Sequence, residues 1–152
     1  MKIWLAAVGR ARAGAARDLY DEYARRMTWP LALKEVEVRK RASPAELKRL
    51  EAELLLAAVP NAAMIVALDE RGTALSSEKF ADRLGAWRDG GVADVAFLIG
   101  GADGHGEAVG KRADLMLALG PMTWPHLMVR AMLAEQLYRA QQILAGHPYH
   151  RA

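Results

Sequence analysis

Apolar and polar positions along the chain follow two different periods, and the switching between them divides it into strand-like and helix-like segments. Residues 2–8 form a short apolar run that reads as a buried strand. A helix follows, with Ala16, Leu19, Tyr20, Tyr23 and Met27 on one stripe and Arg17, Asp18, Asp21, Glu22 and Arg25 opposite. Pro30 interrupts, and residues 31–38 read as a second strand. Ser43, Pro44 and Glu46 supply a capping hydroxyl, a first-turn proline and an acid three residues after the cap. That helix runs to about Val59, where Pro60 and Asn61 end it. Residues 62–68 are apolar throughout, as expected of a strand buried on both faces. Ser76, Ser77 and Glu78 open a helix with Phe80, Leu84 and Trp87 on one stripe, stopped by Gly90 and Gly91. A fourth strand spans 92–99, a short helix 107–112, a fifth strand 115–119, and the longest periodic segment 127–144. Strands alternating with helices predict an α/β fold with a mostly parallel sheet covered on both faces.

The 152 residues suit one domain with one core, and no repeat, linker or low-complexity stretch divides them. With 53% hydrophobic and 26% charged residues, the composition is that of a globular protein rather than a disordered one. There is no cysteine, which excludes disulfides, thiolate metal sites and a cysteine nucleophile. The first eight residues are too soon interrupted by Gly9 and Arg10 for a signal peptide, and no apolar run approaches membrane-spanning length. A cytoplasmic protein is expected. A net charge of +3 permits a nucleic-acid partner without demanding one. The basic residues cluster at Arg10, Arg12 and Arg17, at Arg39, Lys40 and Arg41, and at Arg130, Arg139 and Arg151. Such clusters serve as solvated surface or as phosphate contacts.

Three segments carry candidate chemistry. The fourth strand runs into Gly100, Gly101 and Gly104, whose exposed backbone amides suit a cofactor or simply make a turn. A side chain at Gly101 is expected to intrude on the space a ligand needs. No dinucleotide fingerprint is present. Gly110 and Lys111 do not make a phosphate loop, because His105 replaces its first glycine and Arg112 its hydroxyl residue. The second segment, Gly120 to His126 with Pro121 and Pro125, is a rigid loop directly before the longest helix, either a pocket wall or a stiff connector. His126 and Arg130 share the first turn of that helix, where cations are disfavoured unless an anion joins them. Glu135 and Arg139 have the spacing of a surface ion pair. The third segment is the tail, with His147, Tyr149, His150 and Arg151. It holds no evident third metal ligand, but it could stack on a base and hold phosphates, or fray. No serine-hydrolase elbow surrounds Ser76 or Ser77.

Taken in order, Val8 and Gly9, Tyr23 to Arg26, Leu68 and Asp69 with Gly72, and Ser76 to Glu78 form the first half of a pattern. Leu98 to Gly101 with Gly104, Thr123 with Pro125 and His126, Leu137 to Ala140, and His147 to His150 complete it. In this order, and at this length, the chain resembles the RlmH-type large-subunit ribosomal RNA methyltransferases of the SPOUT superfamily. It departs from their pattern at Leu127, where many carry a second proline, and at Gly146, where an asparagine is expected.

The resemblance implies a single domain with a C-terminal trefoil knot, a homodimer, and S-adenosylmethionine as methyl donor. The substrate it implies is N3 of a pseudouridine in helix 69 of the large-subunit RNA, presented by the large subunit or the whole ribosome. By position it implies a cofactor pocket built from Leu68, Ile99, Gly100, Gly101, Gly120, Pro121, Met122, Thr123, Trp124 and Pro125. His126 and His150 are candidates for proton handling. Arg130, Arg139 and Arg151 are candidates for holding phosphate or developing charge, and Tyr149 for contacting the base. A dimer is expected to form on the last helix, whose Met128, Met132, Leu133, Leu137, Ile143 and Leu144 occupy more than one face. A non-catalytic RNA-binding assembly factor of the same fold, or a methyltransferase with another RNA target, stands as the alternative.

Overall fold

The computed structural model describes residues 1–151, and strands and helices alternate along them as the periodicity predicts. Five strands, β1 (Lys2–Val8), β2 (Leu31–Val36), β3 (Met64–Ala74), β4 (Asp94–Ile99) and β5 (Leu115–Ala118), form one sheet in the order β2-β1-β4-β3-β5. Every pairing is parallel. Five helices, α1 (Ala15–Arg26), α2 (Pro44–Ala57), α3 (Ser77–Asp89), α4 (Glu107–Arg112) and α5 (His126–Leu144), connect or follow them. None of the described helices is long and apolar enough to cross a membrane.

Both faces of the sheet are dry along β1, β4 and β3 as far as Leu68, which is why these segments read as apolar runs. The pleat sorts them. Ile3, Leu5 and Ala7 with Val95, Phe97 and Ile99 face one core, shared with Tyr20 of α1, Phe80 and Leu84 of α3, and Leu133 and Leu137 of α5. Ala6, Ile65, Ala67, Ala96 and Leu98 face the other, against Ala52 and Leu55 of α2 and Val109 of α4. The helix starts follow the expected chemistry: the hydroxyls of Ser43 and Ser76 accept from the amides of Glu46 and Lys79, both at 3.2 Å.

Two features depart from expectation. The expected third strand ends at Leu68, but β3 continues to Ala74. Leu68 and Thr73 both pair with Leu117 of β5, so the residues between them bulge outward. Only glycine fits at position 72, since a Cβ there would stand 2.6 Å from the Met116 carbonyl oxygen. A polar stretch such as Asp69-Glu70-Arg71 carries no strand periodicity, and the strand resumes beyond it through the pairing of Thr73 and Ala74 with β5. The second departure concerns α5. Leu133 and Leu137 are fully buried and Ile143 and Leu144 pack against the same core, so α1, α3 and the sheet account for them. Met128 remains exposed, and Met132 lines an apolar cavity.

Candidate active site

The C-terminal ends of β3, β4 and β5 meet below the first turn of α5, and there they enclose a cleft of about 530 Å3. Strand ends in open parallel sheets are where ligand crevices form, because the helices leave the backbone free there. Leu68, Ile99, Gly100, Gly101, Gly120, Met122, Thr123, Trp124 and Pro125 line it, together with His126 at the rim. Of the residues expected to hold a cofactor, only Pro121 stays off the wall.

The 119–125 segment is fixed by its own side chains. The Trp124 indole donates to the Leu119 carbonyl at 3.1 Å, and Thr123 donates to Glu70 at 2.5 Å. Gly120 turns the chain with a φ of 93°, a left-handed conformation that side chains resist. The bulge of β3 adds Asp69, Glu70 and Arg71 to the cleft. Asp69 is clasped by Arg71, whose amide and guanidinium both donate to it, and these bonds hold its carboxyl below the ordinary range.

Behind the glycine loop lies His105, only 9% exposed. Its Nε2 donates to the Leu98 carbonyl at 3.1 Å, and its Nδ1 is sealed from solvent without a partner. Burial pushes its pKa below the histidine value, against the pull of Leu98 and Asp69. Glu51 of α2 is buried beside the same loop, its pKa raised by desolvation and then by the charge of Asp103. This carboxylate corrects the expectation for Gly101. A Cβ there would meet Glu51 oxygens at 2.8 and 3.1 Å, so it would press on the α2 side rather than fill the cleft.

Arg130 does not point as its helical position suggests. Its guanidinium is 2% exposed. It donates to Glu35 at 2.6 Å and to the Gly9 carbonyl at 2.8 Å, tying α5 to the ends of β1 and β2. Glu135 and Arg139 are paired at 2.6 Å, though not as an open surface pair. Tyr149 donates to the same Glu135 oxygen at 3.0 Å and packs edge-on against Tyr138. Arg139 also donates to His150. The tail is therefore docked rather than frayed. Arg139 lies thirteen residues beyond His126 in α5, roughly 20 Å along the helix axis, so the tail and the cleft of one chain are apart.

The spacing of residues signalled both loops of the cleft. It did not signal Asp69, Glu70 and Arg71, whose arrival depends on the bulge, nor His105 and Glu51, whose significance is their burial. Gly72 was the available signal, since a glycine within a strand marks a bulge or a close approach.

The residues present fit S-adenosylmethionine. The volume suits a ligand of that size. Leu68, Ile99, Leu117 and Val129 give an apolar wall, and Asp69, Glu70 and Asp103 outnumber Lys48 and Arg71 on it, which leaves a small excess of negative charge for a cationic ligand. A Cβ on Gly100 would stand 3.0 Å from the Gly104 carbonyl and 3.2 Å from His105 Nδ1, a tight fit that favours glycine in the cradle wall. Among the described residues no group of three His, Asp or Glu side chains is arranged to hold a metal.

Residues 1–150 match the family model described as predicted SPOUT methyltransferase. The chain is similar to the ribosomal RNA large subunit methyltransferase H of Rhodospirillum centenum, with 72% identity over the whole of both chains. It is 59% identical to the protein of that name from Paramagnetospirillum magneticum over 99% of each chain. Against that of Rhodospirillum rubrum it is 55% identical over the full length of both.

Proposed function

Since this chain belongs to the SPOUT methyltransferase family, and specifically to its RlmH-type ribosomal RNA branch, we propose that it methylates N3 of a pseudouridine in helix 69 of the large-subunit RNA, acting as a homodimer with S-adenosylmethionine as donor. The observation that carries this reading is the convergence of residues 68, 99–101, 119, 120 and 122–126 on one cleft with apolar walls and a charged bulge. The trefoil knot belongs to the same reading and rests on membership of the family.

When bound, S-adenosylmethionine supplies a methyl group already activated by its sulfonium, so the protein chiefly aligns and desolvates. The glycine backbone at 100–101 and the 119–125 segment hold the donor, and the apolar wall excludes water. His126, exposed at the mouth of the cleft, stands where a base entering from solvent passes, and it takes the imide proton from N3. The tail supplies the remaining base and phosphate contacts from the partner protomer: Tyr149 against the ring, Arg151 on phosphate, and His150 as a second proton carrier. Arg139 positions that tail rather than touching substrate, because its guanidinium is committed to Glu135 and His150.

Calorimetry with S-adenosylmethionine, followed by transfer of a labelled methyl group to ribosomes, tests the reading. Micromolar binding and incorporation at a pseudouridine are expected. RNA binding with no affinity for the donor would identify an assembly factor instead, and incorporation at another nucleotide would overturn the target.

A further inference from the structure

A second cavity, of about 300 Å3, opens at the same edge of the sheet where β1 and β2 end. Its walls include Arg10, Tyr20, Glu35, Arg130 and the first turn of α1 at Ala16 and Arg17. The first pointer to its ligand is Arg130. Nη1 and Nη2 are occupied by Glu35 and by the carbonyls of Val8 and Gly9, but Nε, sealed from solvent, donates to nothing. A buried cationic donor without an acceptor is costly, and an anion in this cavity would relieve the cost.

The second pointer is independent of Arg130. The twelve-residue α1 begins at Gly14 with no side-chain cap, so the amides of its first turn, at the positive end of the helix dipole, lack a side-chain acceptor. Charge in the cavity agrees. The acids on its walls are Glu35 and Asp21. One Glu35 oxygen already accepts from Arg130 and from the Ala11 amide, each at 2.6 Å. Arg17 makes no ion pair among the described residues, and Arg10 only touches exposed Glu37 at 4.0 Å. Burial pushes the Tyr20 hydroxyl up to about 12, so it stays protonated and able to donate.

The cavity adjoins the cleft. Leu127 lines one while His126 and Val129 line the other, so a single turn of α5, about 5.4 Å in pitch, separates them. We propose that this cavity binds a phosphodiester of the RNA strand that enters the cleft, gripped by Arg10, Arg17 and the first-turn amides of α1, with the charge of the buried Arg130 guanidinium behind them. The assignment rests on the RNA methyltransferase reading above.

The test uses the full-length protein and its double variant Arg10→Ala/Arg17→Ala, both positions being exposed and outside the cleft. Binding of a synthetic hairpin containing the target pseudouridine is measured against salt concentration. The double variant is expected to keep S-adenosylmethionine affinity and to lose about tenfold in RNA affinity. Its log–log salt slope should be shallower by roughly one, as losing a phosphate contact requires. In wild type, the sheltered Arg130 Nε–H resonance is expected to shift when the hairpin binds. A wild-type slope in the double variant overturns the proposal, and so does a resonance that responds to inorganic phosphate but not to the hairpin, which would mark a free-anion site. Wild-type protein that binds the hairpin but never methylates ribosomes would sink the functional reading and leave the phosphate site standing.

Discussion

Arg139 donates to Nδ1 of His150 across 3.2 Å, and this contact decides which nitrogen of the imidazole carries the proton. With Nδ1 accepting, Nε2 must be the donor, and it reaches Glu78 at 2.8 Å. The ring thus bridges α5 and α3. Tyr149, one residue earlier, lays its ring 4.8 Å from that of Tyr138 and its hydroxyl on Glu135. The last residues are held along the middle of α5, far from the cleft of their own protomer, and a partner must bring a tail to that cleft if tails act in the reaction.

Removing residues 147–152 is therefore expected to lower stability by about 1–3 kcal/mol, the worth of one aromatic pair and a few hydrogen bonds. It should leave donor binding intact and abolish methyl transfer. Mixing this variant with Gly120→Val, whose side chain is strained at φ 93° and crowds the cleft, forms heterodimers with one intact composite site. Recovered activity is expected. No recovery after confirmed subunit exchange would mean that each tail serves its own protomer.

Gly101 and Glu51 should behave as a coupled pair. A Cβ at Gly101 would stand 2.8 Å from the Glu51 carboxylate, so Gly101→Ala must displace either the loop or the acid. Overpacking costs up to about 1–3 kcal/mol, and the yielding atoms here are the end of a flexible side chain, so a loss toward the lower end of that range is expected in the urea midpoint. In a Glu51→Ala background the same substitution should cost much less. Additive losses in the double-mutant cycle would show that the two positions do not interact.

Acid should weaken the fold through His105. Its pKa is depressed by burial below the ordinary 6.5, so between that value and the folded one the unfolded chain binds the extra proton more readily. The stability this histidine contributes is present above the unfolded value and is lost as pH falls below it. His105→Gln, which keeps a donor for Leu98, should flatten the decline in urea midpoint below pH 6.5. An unchanged pH profile in that variant would show that other groups carry the effect.

The proposed dimer should depend on α1. Leu19 is 50% exposed, and it lines an apolar cavity with Tyr23, Leu75, Leu119 and Met132. An exposed leucine at the mouth of such a cavity marks a face that association would cover. Leu19→Glu is expected to give monomers by light scattering at micromolar concentration, with helicity unchanged. A dimer that survives this change forms on another face.

Periodicity alone determined much of this molecule. Six apolar residues from Ile3 to Val8, a serine before each of two helices and a glycine pair after one of them specify local structure through short-range rules, and these hold wherever the chain goes. The two loops of the cleft were legible for the same reason, because glycine and proline state their backbone demands locally. Only the tertiary structure decided what lies between distant segments. The end of β3 is bent by β5, which is some forty residues away in sequence, and that bend delivers Asp69 to the cleft. Arg130 looked free for an anion in its helix, yet Glu35 and the end of β1 claim most of its donors. Leu19 belonged to the stripe expected to be buried, and the shape of α1 against α5 leaves it outside. Burial and pairing between remote residues are properties of packing, and a single sequence read along its length records the residues without recording which of them meet.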